Sequence, residues 1–455
     1  MIERNGLVGL VALALASSGS LACGGDDVAS SISGVIPGEV FVGRSAEVLI
    51  VGNNTSWSEG VSVSFGEGVT IGDTTVASPT ALMVSVTADE TATLGTRDVV
   101  VTQDGEELAF AGAFELSSPV KIASVQGQIA QGSISVIKVQ NLDFANPFDT
   151  TTTGDGLFTP IEYVNVQVHA GNADALIQYV EPYTMEILLL TDVTATAGAV
   201  DLEVLSGPVG QEQSFKLPGA FEVAAREPIA LGAGEPVNGT IDEPYQTLVY
   251  AVTPSELSIV TAYTFADSQI ASPAFALLPA SGSFAELQGF GPVARFVSDE
   301  PHYLVYWDNT GATGYSFQIG ADHNVVKSAL TQSEPNDGIP DAQEAAELPA
   351  VLQGATLSDL DDQDWIRITV TEADVGKAVH VFTFGDPTCD TVVDVTRGNG
   401  ESLGQPSSDQ NYHEDFVSEV IDEPGDYYVK IYASDAGFFD PGAPNYTAAI
   451  ELVDP

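Results

Sequence analysis

The sequence predicts an all-β chain, four tandem β-sandwiches behind an exported leader, and three observations carry that prediction. Glycine and proline number 44 and 25, and Thr, Val and Ser fill stretches in which apolar and polar residues alternate. Period-two alternation marks half-buried strands, and frequent turn formers cut them short. Runs of Ala, Leu, Lys and Glu at helical spacing are nearly absent. At 455 residues the chain exceeds what one compact core holds, and two pairs of segments within it repeat. Hydrophobic residues make up 44%, enough for packed cores and too much for a disordered acidic tail.

The leader is Met1 to Ala22. Arg4 supplies a charged start, Leu7 to Ala16 form a ten-residue apolar core, and Ser17-Ser18-Gly19-Ser20-Leu21-Ala22 lead into Cys23. Ten apolar residues cannot cross a bilayer as a helix, which takes ~20, so the segment reads as a cleaved secretory signal. Small residues before Cys23 and Gly24-Gly25-Asp26-Asp27 after it resemble a bacterial lipoprotein lipobox, with Ser20 where that family usually carries leucine. The resemblance implies that Cys23 becomes an acylated N-terminus tied to the cell envelope, at the outer membrane or cell surface. Ordinary cleavage would instead release a secreted protein. Residues 23–33 form a flexible leash.

The formal charge is −51, from 64 acids against 13 bases, and the leader removes one of each. Neutralising phosphates takes Lys and Arg, so nucleic acid is excluded as a partner. The same field repels anionic membrane surfaces and favours divalent cations, basic partners and solubility in salt. Of two cysteines, Cys23, if acylated, leaves Cys389 without a disulfide partner. Cys389 is expected as a small buried strand residue.

The first repeat pair aligns Thr91 to Val101 with Thr194 to Val204, and Gly112-Ala113-Phe114-Glu115-Leu116 with Gly219-Ala220-Phe221-Glu222-Val223. Both copies end on a strand whose phenylalanine should face inward. Upstream, Val61 to Phe65 and Val164 to Val168 alternate as strands do. Domains are therefore expected at 34–117 and 118–225. An opening like Ile36-Pro37-Gly38, a turn near Gly66 and the G-x-x-D-φ-x-V strand resemble the immunoglobulin-like TIG (transcription-factor immunoglobulin) modules, which implies two immunoglobulin-like sandwiches. The insertion Asn141 to Thr159 reads as a polar, exposed loop.

The second pair aligns Asp299-Glu300-Pro301-His302-Tyr303-Leu304-Val305-Tyr306 with Asp422 to Lys430, and Gly314 to Ile319 with Asn445 to Ile450. It places domains at 226–321 and 332–455. In the last, Glu334-Pro335-Asn336-Asp337 is followed by Gly354, Asp361-Asp362-Gln363-Asp364-Trp365-Ile366-Arg367-Ile368, Asp390 to Val393 and Gly425 to Val429. This order resembles the bacterial pre-peptidase C-terminal (PPC) domain, which implies a jelly-roll-like sandwich. Residues 226–321 resemble a degenerate copy without either acidic motif, Tyr245 to Val249 standing in the second position.

The acidic segments of the last module are the candidate site. Carboxylate and amide oxygens are hard donors suited to calcium, and the resemblance carries a ligand set of Glu334, Asn336, Asp337, Asp361 and Asp364. Without a cation, Asn336 and Asp337 would make turn hydrogen bonds and Asp364 would cap a strand entry. Asn336 to Glu344 also resembles a fragment of thrombospondin-type calcium repeats, and Ala342 to Glu347 is expected as one helical turn. An EF-hand is excluded, since Asp359 to Asp364 lacks the sixth-position glycine and Val370 replaces the twelfth-position glutamate.

Two catalytic patterns fail. Gly400-Glu401-Ser402-Leu403-Gly404 fits G-x-S-x-G but sits in an expected hairpin, not a strand-turn-helix elbow. His413-Glu414 begins H-E-x-x-H, but Val417 stands in place of the second histidine. The five histidines show no ligand spacing, and Gly232-Ala233-Gly234 precedes no helix. Tyr303, Tyr306, Trp307, Tyr427, Tyr428 and Tyr432 alternate on strands, mostly as core, with a sugar-stacking face as the alternative. The sequence thus predicts a non-enzymatic cell-envelope lipoprotein for binding, adhesion or spacing, with an unidentified protein or polysaccharide ligand. The alternative is a non-catalytic accessory of a secreted peptidase or polysaccharide-hydrolase system.

Overall fold

The computed structural model describes residues 29–154, 159–266, 272–308, 310–385, 390–407, 414–433 and 445–455. The leader, Cys23, Cys389 and His413 lie outside the described residues. Among those described, every regular element is a β-strand except two three-residue 3-10 turns. The chain divides after Ser117 into two compact units.

The first unit is one sandwich. One sheet orders Ser31–Ile36, Ser45–Asn53, Ala81–Ala88 and Val69–Ser78; the other orders Glu39–Phe41, Glu106–Ser117, Gly95–Gln103 and Ser62–Ser64. Alternation does what the sequence promised. In Ala81–Ala88, Leu82, Val84 and Val86 are fully buried against Val99, Val101 and Phe114 of the facing sheet, because successive side chains leave a strand on opposite faces.

The second unit holds three sandwiches. In the second, Ala173–Glu181, Thr184–Thr191, Ser133–Asn141 and Val120–Gln126 face Val166–His169, Gly198–Ser206 and Gln213–Val223. Its likeness to the first reaches single hydrogen bonds. Asp98 Oδ1 accepts the Gly112 amide at 2.8 Å, and Asp201 Oδ1 accepts the Gly219 amide at 2.7 Å. Both pairs lie at a bulge where register slips, between Arg97 and Val99 and between Val200 and Leu202. Gly112 and Gly219 hold φ of 59° and 56°, a left-handed conformation that glycine takes without strain. The insertion after Asn141 is less exposed than its polar sequence suggests. Phe148 is 3% exposed and meets the Phe215 ring edge-on at 5.1 Å, so an aromatic residue pins the loop to the core.

The third sandwich pairs a five-stranded sheet (Ile229–Leu231, Leu248–Val252, His302–Asp308, Pro273–Leu278, Gly289–Gly291) with a four-stranded one (Val237–Ile241, Tyr315–Val325, Ser258–Ala266, Val293–Ser298). The fourth repeats the plan. Gln343–Ala345, Gln363–Val370, Gly425–Ala433 and Thr391–Arg397 form one sheet; Ser328–Thr331, Ala350–Thr356, Asn445–Val453, Ala378–Gly385 and Asp415–Val420 form the other. The helical turn expected over Ala342 to Glu347 is not formed there. A 3-10 turn occupies Ile339–Asp341, where Pro340 sets φ, and Gln343–Ala345 instead runs parallel to Ile366–Ile368.

The three sandwiches share faces. Outward residues of the third one's larger sheet, Val249, Ala276, Leu278 and Val305, pack on Ile134 and Val193 of the second. Its other sheet turns Ile259 and Val297 toward Val351, Phe382 and Ala449 of the fourth. Strands at these seams are therefore buried on both sides, and every residue of 274–278 and of 378–383 is buried.

Candidate metal centre

The strand Gln363–Val370 sets the geometry. Ile366, Ile368 and Val370 enter the core, and the two-residue period carries Asp364 and Asp362 inward with them, while Trp365 and Arg367 are half-buried and Asp361 is exposed. Asp364, 0% exposed, is spent within the protein. Its Oδ1 accepts from Asn336 Nδ2 at 2.6 Å and Gln332 Nε2 at 2.8 Å, and its Oδ2 accepts from the Tyr446 hydroxyl. Burial raises its pKa despite these donors, with the Asp362 charge adding to the rise.

The carboxylates that converge are Glu334, Asp337 and Asp362, each offering an oxygen within 4.8 Å of the other two. Glu334 and Asp337 are exposed and Asp362 is buried, its Oδ2 accepting the Ser358 amide at 2.5 Å. Asn336 sits fully buried between Glu334 and Asp337 in sequence; its amide N–H donates to Glu334 Oε2 at 3.2 Å, and its Oδ1 has no hydrogen-bond partner. Burial raises the pKa of Glu334, and repulsion from Asp364, Asp362 and Asp337 raises it further. Three converging carboxylates suit a hard divalent cation such as calcium.

Of the expected ligands, Glu334, Asn336 and Asp337 lie together. Asp361 lies on the exposed side and Asp364 is consumed by three donors, so Asp362 takes the place that sequence reasoning gave to its neighbours. The signal was the Trp365-Ile366-Arg367-Ile368 alternation itself. Extended backward, it puts Asp362 and Asp364 on the inner side and Asp361 on the outer.

The third sandwich keeps the tyrosine and changes its acid. Tyr315, matching Tyr446 in the repeat, donates to Asp308 Oδ2 at 2.9 Å. Asp308 also accepts from the amides of Thr310 and Ala312 at 2.8 and 2.9 Å. Burial opposes its charge, but these bonds win and its pKa falls below the usual carboxylate range. The same tyrosine thus faces a settled carboxylate in one copy and a proton-prone one in the other.

Other candidates resolve into structure. Ser402 Oγ lies 2.5 Å from Asp394 Oδ1 and 2.8 Å from the Gly404 carbonyl, inside a turn. Tyr306, Tyr427 and Tyr428 are buried. Trp307 is half-buried and meets Phe290, itself 52% exposed, with ring centroids 5.1 Å apart. Phe290, Phe296, Phe382 and Phe384 line a cleft of about 780 Å³ between the third and fourth sandwiches, with Arg295 and Asp415 among its polar walls.

Comparison with known proteins adds one local match and distant structural likenesses. Residues 29–123 match the family model for quinohemoprotein amine dehydrogenase, alpha subunit domain III, a stretch that spans the first sandwich. No curated protein matches the chain. Among solved structures, the Escherichia coli adhesin FdeC is 15% identical, over 65% of this chain and 96% of its own, at a TM-score of 0.15. The Bacteroides ovatus glucan-locus protein SGBP-B, solved with a mixed-linkage heptasaccharide, is 11% identical over 63% and 76%, at 0.15. The Yersinia pseudotuberculosis adhesin InvE is 12% identical over 47% and 68%, at 0.16. Likeness at this level carries no argument, so the fold stands on the sheets and cores described above: an all-β chain of successive two-sheet sandwiches, the first of them similar to a domain of an amine dehydrogenase subunit.

Proposed function

We propose that the chain is a non-enzymatic, lipid-anchored protein of the cell envelope whose sandwiches hold out or bind a partner, with calcium stiffening the last one. The leader and Cys23 support export and anchoring; acyl chains in a bilayer would hold the N-terminal end there. The observation that carries the calcium part is the convergence of Glu334, Asp337 and Asp362. Bound there, calcium would screen three like charges. The cleft lined by Phe290 and Phe384 is the place for a neutral ligand such as a polysaccharide, since a chain of net charge −51 repels anions.

Calorimetry of the full chain with calcium and then with EDTA tests the metal reading. A cation bound at about a hundred times its Kd stabilises by ~2.7 kcal/mol, so the calcium-dependent transition should rise by several degrees. Asp362→Asn should abolish the rise and Asp361→Asn should keep it; equal behaviour of the two variants sinks the assignment. Because Glu334 holds its proton more tightly than an ordinary glutamate, calcium binding should weaken as pH falls toward the carboxylate range. Incorporation of labelled palmitate, lost in Cys23→Ser, tests the anchor. The match of residues 29–123 to a domain of an enzyme subunit favours a second reading, a non-catalytic accessory of a secreted enzyme system.

A further inference from the structure

The seam between the third and fourth sandwiches sets a charged cluster beside an apolar patch. Ile259 and Val297 close on Val351, Phe382 and Ala449. His380, on the same outward face as Phe382, keeps 2% of its side chain exposed. Both its ring nitrogens end on carboxylates. Nε2 lies 2.7 Å from Asp415 Oδ1, and Nδ1 lies 3.0 Å from Glu451 Oε1. A neutral imidazole has a single N–H, so satisfying two ionised acceptors at once takes the imidazolium. Each carboxylate is also gripped from the third sandwich: Arg295 forms an ion pair with Asp415, and Asn324 Nδ2 donates to Glu451 Oε2 at 2.8 Å.

We propose that His380 is the pin of a proton-controlled clasp joining the third sandwich to the fourth, closed as imidazolium and loosened when the ring gives its proton to solvent. Closed, two cations (His380, Arg295) balance two anions (Asp415, Glu451). Open, one ring nitrogen becomes an acceptor facing a carboxylate, and the cluster is left one negative charge in excess. Both are costly at Glu451, which is buried with the ring, and less so at Asp415, which is half-exposed.

The ionisable groups facing His380 are Asp415 and Glu451 from its own sandwich and Arg295 from the other. Burial works against the charge on His380, but the hydrogen bonds to Asp415 and Glu451 and the attraction of Asp415 outweigh burial and Arg295, and its pKa stands above the ordinary 6.5. The bond from His380 holds Asp415 below 3.8 against burial. Glu451 is pushed up by burial, but bonds from His380 and Asn324 bring it below 4.5. A raised histidine contributes its full stabilisation below 6.5 and loses it as pH climbs through the folded value. The lowered carboxylates contribute fully above 3.8 and 4.5 and lose their share as pH falls through their folded values. The clasp is therefore closed between about pH 4.5 and 6.5 and opens on the alkaline side. His302 and His323, whose pKas burial lowers, destabilise in the opposite direction as pH drops through 6.5. Whole-protein melting mixes these contributions, so the readout must be local.

The test is carried out on the full chain: NMR titration of the His380 imidazole, and hydrogen exchange at Val293–Ser298 and Ala378–Gly385 from pH 6 to 9, corrected for intrinsic rates. The expected result is a ring protonated on both nitrogens at pH 6, a midpoint above 6.5, and about tenfold loss of protection at the seam on titration, the effect of one charge-assisted hydrogen bond. His380→Gln, neutral throughout, should give a flat profile. A midpoint at or below 6.5, or the same pH profile in His380→Gln, overturns the clasp. Should that variant not fold, Arg295→Gln keeps the histidine and cuts the grip. Protection at Val293–Ser298 should then stop following the His380 titration, and protection that still follows it also overturns the proposal.

Discussion

The first and third sandwiches are both two-sheet structures with apolar centres, yet they treat their outer faces differently. In the first, the outward positions of Ala81–Ala88 are Ala81, Met83, Ser85 and Thr87, half-buried or exposed. In the third, the outward positions of Pro273–Leu278 and His302–Asp308 carry Ala276, Leu278 and Val305, all buried against the second sandwich. The inner faces make a sandwich; the outer faces decide whether it stands in a stack. A strand with apolar residues on one side is content with its own partner sheet, whereas one apolar on both sides requires a second neighbour.

The strongest way to break this comparison is to place a charge on the covered face. Val305→Asp buries an unpaired carboxylate at the seam and should cost ~3–5 kcal/mol in chemical denaturation; a loss under ~1 kcal/mol would mean the face is not packed. Next comes the tyrosine–acid pair. Tyr446→Phe removes a donor from Asp364, and Tyr315→Phe removes one from Asp308, each at ~1–3 kcal/mol. The Asp364 variant should suffer more as pH rises, because burial already makes that carboxylate resist ionisation despite its remaining donors Asn336 and Gln332, whereas the bonds to Asp308 outweigh its burial. Gly112→Ala and Gly219→Ala should cost the same, ~1–2 kcal/mol, since an added Cβ meets nothing within 4 Å at either site and only the left-handed backbone is penalised. Unequal losses would mean that the two bulges are not equivalent. Smallest is Thr75→Asp on the exposed surface of the first sandwich, within ~1 kcal/mol.

Much of this architecture was legible in the residues. The phenylalanines of the paired Gly-Ala-Phe-Glu segments, expected to face inward, are the buried Phe114 and Phe221, and the paired Gly-x-x-Asp strands carry equivalent bulges closed by matching hydrogen bonds. The seams were not legible. A run such as Ala274-Phe275-Ala276-Leu277-Leu278 has no polar side, so nothing in it distinguishes the neighbour across the sheet from the one behind it. At the candidate site the acids were legible as a group and not as individuals. Four acids crowd into Asp359 to Asp364, and only the phase of the following strand separates Asp362 from Asp361. His380 carried no signal, because its partners Asp415 and Glu451 stand 35 and 71 residues away.

In the first sandwich an early strand and the last strand pair side by side. Glu39–Phe41, near its beginning, lies parallel to the end of Glu106–Ser117, with Val40 opposite Leu116. The Glu115 amide donates to the Gly38 carbonyl at 2.8 Å and the Val42 amide to the Ser117 carbonyl at 3.0 Å. Tension drawn between the two ends of this sandwich pulls the paired strands past each other in shear, so these bonds must fail together instead of unzipping singly. Phe41→Pro and Val42→Pro differ as a mechanical test, since the Val42 amide donates into this pairing while the Phe41 amide, one residue back, faces the other side of the strand: single-molecule stretching should show a lower rupture force for the second, and an unchanged force there would place the mechanical clamp elsewhere.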